Sequence, residues 1–172
     1  MGGAFLRNAI NQMGTGGNIN RLSRIDGGSG IDTLQLQNAA NLDLTAIKNA
    51  GGATPDGHSR IESIEIIDMA TDAAANTLNL NLTDLLDMSG MNVFNTLKGW
   101  SNVGASTAFA DTLSRHQLII KGGVNDQVQV ENWALSWTSA GQVSDGTNIY
   151  SVYNHNNTYA QLIVSPSLTI IG

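Results

Sequence analysis

The sequence predicts a mainly β fold, and three observations carry that reading. Period-2 alternation recurs in TLQLQ, NLDLTAI and NTLNLNL; IESIEIIDMA is a β-branched run; and from His116 onward short apolar runs follow one another at regular spacing. Alternation is the mark of a strand with one buried face, because successive side chains point to opposite sides of a sheet. The expected architecture is a partial β-roll or solenoid turn around Gly16 to Leu36, continuing into stacked and then antiparallel strands, with two short helices. The expected organisation is a helix over 1–14, a glycine-rich loop region over 15–36 and a β-rich module over 37–172, the last two forming one compact domain.

Taken in order, AFLRNAINQM places Phe5, Leu6, Ala9, Ile10 and Met13 at the spacing of one helical face, with Gly14 as a stop. The stretch NAGGATPDGHS is dense in turn formers and predicts an exposed loop. Thr83 is the expected cap of a short helix, TDLLDMS, ended by Gly90. Residues from Gly99 to Asp111 show no period and predict a long surface loop. Beyond them HQLIIKG, DQVQVENW, GQVSDGTNIYSVY and TYAQLIVS read as strands, with Asp145-Gly146 as a hairpin turn.

Composition bounds the function. At 172 residues with 41% hydrophobic and 13% charged side chains, the chain has enough apolar material for one core and is not a disordered acidic polymer. No apolar run approaches the ~20 residues of a spanning helix, so no membrane span is expected. A net charge of −6 and the lack of clustered Lys and Arg argue against nucleic acid as a partner. Asp outnumbers Glu by 11 to 3 and Asn is abundant, a mixture that favours oxygen-rich turns, the ligands preferred by calcium. Without cysteine, neither disulfides nor thiolate zinc sites are available. The opening MGGAFLRNAI lacks the charged start and apolar centre of a secretory leader, so export by the general secretory route is not expected.

Gly27 to Gln35, GGSGIDTLQ, fits the nonapeptide G-G-x-G-x-D-x-U-x at every specified position. Glycine reaches backbone angles closed to other residues and lets carbonyls turn inward, Asp32 adds a charge, and Leu34 points into a core. The candidate calcium ligands are therefore Asp32 and the backbone at Gly28 and Gly30, joined by Asn20 and Asp26 from the residues before. Thr15 to Leu22 is a worn copy in which Asn18 replaces a glycine and Asn20 the aspartate; Gly122 to Val128 keeps D-x-U but is one residue short. The plain alternative for all three is a tight turn.

The succession GGSGIDTLQL, LDLTAI, RIESIEIIDMA, NTLNLNLTDLLDMSG, a Trp-containing loop, LIIKGGVNDQV and TNIYSVYNHNNTYAQLIV resembles the C-terminal region of large bacterial RTX adhesins and related repeat proteins exported by type I secretion. The resemblance covers nearly the whole chain from Gly14 and lies in the order of the segments. It implies an RTX-like calcium loop region, matched here at Gly27, Gly28, Gly30, Asp32 and Leu34, joined to a module read uncleaved by the type I secretion machinery. It also implies an extracellular or cell-surface location and folding linked to calcium outside the cell. The chain departs from the family at Asn20 and in having no long repeat array. The apolar tail LIVSPSLTIIG suits a terminal recognition signal or a closing strand, or both.

Other chemistry leaves weaker signals. His58, His116 and His155 show no metal-ligand spacing, and Ser114-Arg115-His116 has no nucleophile elbow. Glu62, Glu65 and Asp68 read as one strand, with Glu62 and Asp68 on the same face; Arg60 is the nearest basic residue, which keeps a β-helix polysaccharide lyase as an enzyme alternative. Trp100, Trp133 and Trp137 are candidate ligand-binding aromatics, for a host or matrix glycan or peptide, against an ordinary role in packing. The leading expectation is a non-enzymatic calcium-linked export module, the second an adhesive domain, the third a lyase.

Overall fold

The protein is described here from a computed structural model that covers residues 25–47, 61–109 and 113–172. The expected N-terminal helix, the worn glycine turn with Asn20, the 48–60 loop and Arg60 lie outside the described residues.

In chain order, β1 (Ile25–Asp26) and β2 (Thr33–Gln35) flank the glycine loop, and β3 (Asn41–Asp43) follows a turn in which Asn38 and Ala39 take positive φ. β4 (Ile61–Glu62) and β5 (Ile66–Asp68) come next, then β6 (Thr77–Leu80) and helix α1 (Leu82–Met88). The 3-10 turns Leu44–Ala46 and Thr96–Lys98 are short connectors. β7 (Ser101–Val103) precedes β8 (His116–Lys121), β9 (Gln127–Val130) and the single turn α2 (Trp133–Ser136). β10 (Trp137–Ser144) and β11 (Ile149–His155) form a hairpin through Asp145-Gly146, and β12 (Ala160–Val164) and β13 (Thr169–Ile171) close the chain.

Two larger sheets hold the structure, beside a short parallel pair of β1 with β4. One runs β2-β5-β8-β12-β11-β10-β7, the other β13-β9-β6-β3, so four successive strand–turn–strand units stack in the same order in both. The first four strands of the larger sheet are parallel, and β11, β10 and β7 add an antiparallel extension. The smaller sheet is parallel throughout.

Register explains the sequence pattern. Leu34, Ile67, Ile120 and Val164 form one row across the larger sheet, Leu42, Leu78, Val128 and Ile170 a row across the smaller, and both rows belong to one apolar cluster. Each such side chain, once fully buried, contributes roughly 2 kcal/mol from apolar area alone. On the other face of the larger sheet Ile119 and Ile163 pack with Phe94, Phe109, Val143, Tyr150 and Val152. A sheet covered on both faces needs apolar residues at consecutive positions, hence LII in β8 and LIV in β12, whereas β9 keeps one face exposed and alternates as QVQV.

Three expectations are corrected. The cap of α1 is Asn81, not Thr83: Asn81 is extended, its Oδ1 accepts the Asp84 N–H at 2.9 Å, and the Asp84 carboxylate accepts the Asn81 N–H at 2.8 Å. Glu62 and Asp68 do not share one strand, because Ser63 at φ 55 separates β4 from β5. The stretch after Gly99 is not all loop, since Ser101–Val103 pairs with Gln142–Ser144, a long-range contact that local periodicity does not encode.

Candidate functional site

The glycine loop is built by close approach. Gly27 donates its N–H to the Glu62 carbonyl at 3.1 Å. A Cβ on Gly27 would sit 2.0 Å from the Ser63 carbonyl oxygen and 2.6 Å from Asp32 Cβ, so only glycine lets these segments meet. Gly28 and Gly30 have φ of 83° and 121°, and the Gly28 N–H bonds to Asp26 Oδ1 at 2.9 Å. Farther on, the Asp32 carbonyl accepts from the N–H groups of Glu65 and Ile66 at 3.2 and 3.0 Å, while the Asp32 N–H donates to Glu65 Oε2 at 3.0 Å.

The Glu65 carboxylate thus reaches the Asp32 main chain where the loop enters β2. Glu65 is only 4% exposed, and Asp32 Oδ2 is buried with no hydrogen-bond partner. A buried carboxylate oxygen without a donor is costly, of order 1–3 kcal/mol or more. Beside Glu65 opens a cleft of about 530 Å³ whose lining includes Glu62, Ser63, Glu65, Asp87 and His116. The His116 Nδ1–H donates to the Ser89 carbonyl at 2.8 Å, which leaves Nε2 as the other ring nitrogen. Among the described residues no three His, Asp or Glu side chains are placed to hold a metal ion together. A hard divalent ion here would draw on Asp32 Oδ2, Glu65 and peptide oxygens such as that of Ser63, the mixed set that calcium accepts.

Of the ligands expected from sequence, Asn20 lies outside the described residues. Asp26 is in β1 opposite Glu62 in β4, with one oxygen engaged by Gly28. Gly28 and Gly30 lie at the exposed loop tip, where Ile31 is 53% exposed. Glu65 was not expected as a partner of Asp32; it lies 33 residues on, and only the parallel register of β2 with β5 brings it there.

The aromatic candidates divide. Trp100 is half-buried, with ring centroids 5.4, 5.7 and 5.5 Å from Phe94, Phe109 and Tyr150. Trp133 stacks on Trp137 at 6.1 Å and meets Tyr153 edge-on at 4.6 Å, against the main core. Trp100 and the Trp133–Trp137 pair thus sit in different clusters, and Trp137 is buried.

The short near-copy at Gly122 is a different object. Asp126 Oδ1 accepts from the Asn76 N–H at 2.9 Å and from Asn76 Nδ2 at 3.1 Å, and Oδ2 accepts from the Gly123 N–H at 2.8 Å. Asn76 in turn accepts the Ala40 N–H at 2.9 Å, so this ladder ties three successive turns.

No protein-family model, curated protein or solved structure matches the chain. Among the described residues no helix is long and apolar enough to cross a membrane.

Proposed function

We propose that the chain is a non-enzymatic, calcium-linked C-terminal module of a secreted bacterial RTX adhesin, carrying the uncleaved signal for type I secretion. The observation that carries the calcium part is the buried, donor-free Oδ2 of Asp32, a residue whose main-chain N–H is held by the buried carboxylate of Glu65. An ion bound there would join the glycine loop to the strand–turn–strand unit that follows it. The carboxylates stay uncompensated where calcium is scarce, as in a bacterial cytosol, and are neutralised outside, where it is millimolar. Binding to the folded form alone stabilises by about 2.7 kcal/mol at a hundredfold excess over the dissociation constant. The export and adhesin parts rest on the segment order that resembles the RTX proteins.

Thermal melting during a calcium titration tests the first part. The parent should gain several degrees in Tm, and Asp32→Ala and Glu65→Gln should each lose most of that gain. An unchanged Tm in the parent leaves a tight turn and no ion. For the second part, removing the chain from Tyr159 onward should abolish secretion of a passenger fused to it through a type I exporter; undiminished secretion would refute the export role.

A further inference from the structure

A second site lies on the opposite face of the larger sheet and does not rest on the calcium reading. A cavity of about 230 Å³ opens between the 92–97 turn and the ends of β8, β11 and β12. That is smaller than the pockets that hold drug-sized ligands and suits a body of about one ring.

Its floor is two buried amides whose N–H donors are already spent. Gln117 Oε1 accepts from the Phe94 N–H at 2.8 Å, and its Nε2 donates to the Phe94 carbonyl at 2.9 Å and to Gln161 Oε1 at 2.8 Å. Gln161 Nε2 donates to the Ala108 carbonyl at 3.1 Å and to Asn154 Oδ1 at 2.8 Å. Among the described residues, donor capacity remains at the lining in the Asn154 Nδ2 amide and in the Arg115 guanidinium, whose side-chain bond is a 3.5 Å approach to the Thr158 carbonyl. In a chain with 14 acidic residues, no carboxylate is among the described residues that line this cavity. The walls are apolar: Phe94 and Phe109 lie below, while Leu97 and Leu113, 90% and 47% exposed, stand at the mouth.

Spare donors, a guanidinium with no carboxylate beside it among the described residues, and an apolar wall together suit an acceptor-rich anion with a hydrophobic or ring body. We propose that this cavity binds a small organic carboxylate of about one ring, with Arg115 and Asn154 holding the carboxylate and Leu97 and Leu113 covering the ring. Such a group comes either as a free carboxylic acid or as the terminal uronic acid of a glycan.

Calorimetric titration with cyclohexanecarboxylate, methyl β-D-glucuronide and the neutral cyclohexanecarboxamide tests this. At least one carboxylate should bind about tenfold or more tighter than the carboxamide, and Arg115→Gln should remove that preference. Preference for the cyclohexane acid identifies a free acid as the source, and preference for the glucuronide identifies a glycan end. Should Arg115→Gln fail to fold, side-chain amide shifts of Gln117, Gln161 and Asn154 in the unmodified protein decide: the carboxylate must move them. Equal binding of the carboxamide, shifts confined elsewhere, or no binding of either carboxylate at millimolar concentration overturns the proposal.

Discussion

Gly27 to Asp32 and Gly122 to Asp126 begin alike: each opens on two glycines and sets an aspartate two residues before an apolar strand position. They end in opposite chemical states. Asp126, 2% exposed, has both oxygens engaged by Asn76 and by Gly123 three residues back. The extra residue between Gly27 and Asp32 lets the tip from Gly28 to Ile31 stand out in solvent. Asp32 Oδ2 is then left without a donor, and another carboxylate, Glu65, takes the Asp32 N–H. One residue of loop length separates an aspartate whose oxygens are both engaged from one with a buried oxygen left without a donor.

The largest test of that contrast is Asp126→Ala. It strips the acceptor from the buried Asn76 N–H and from the Gly123 N–H, at about 1–3 kcal/mol for each group left unsatisfied, while the Asn76 side-chain amide keeps the Met69 and Ala74 carbonyls. A loss of roughly 3–5 kcal/mol is expected in urea denaturation, the same with or without calcium. Asp32→Ala in calcium-free buffer should leave stability unchanged or raised, because it removes a buried carboxylate oxygen without a donor. Equal losses for the two variants would erase the distinction between the loops.

The glycines sharpen it further. A methyl group on Gly27 meets the Ser63 carbonyl oxygen at 2.0 Å, and backbone yields little; a methyl group on Gly122 meets Leu168 Cδ1 at 2.5 Å, the end of a side chain that can rotate away. Gly27→Ala should cost about 2–3 kcal/mol and Gly122→Ala about 1 kcal/mol. Midpoints of chemical denaturation at equal slope check the ordering, and the reverse ordering would show that the Gly27 loop shifts freely.

Much of the β architecture was legible in the sequence because burial writes itself as periodicity: NTLNLNL and QVQV alternate where one face of a strand meets water. The hairpin at Asp145-Gly146 was legible from turn chemistry. The cap of α1 was misplaced by two residues, since Asn81 and Thr83 are both good capping types and only the reciprocal bond to Asp84 selects between them. β7 and α2 were missed because one is defined by a distant partner and the other is a single turn. At the candidate site, the nonapeptide pointed to Asp32, but its neighbour Glu65 depends on strand register 33 residues away, which no local motif contains.

Asp84 stands between the two loop aspartates, with one backbone donor from Asn81 and a largely buried carboxyl. Burial, with Asp87, Asp43 and Glu131 adding negative charge, pushes its pKa up to about 6 from 3.8. A folded pKa above the unfolded one means that the native state binds the proton more tightly between those values, so stability falls as pH rises from about 4 to about 6. Asp84→Asn keeps an acceptor for the Asn81 N–H and removes the charge. It should therefore flatten that fall and leave the variant more stable than the parent above pH 6, by roughly 1–2 kcal/mol after allowance for partial solvation. The difference between the two stability curves over pH 4 to 7 isolates this group from the other carboxylates. A difference that does not vary with pH would mean that Asp84 is ionised as easily in the folded chain as in the unfolded one.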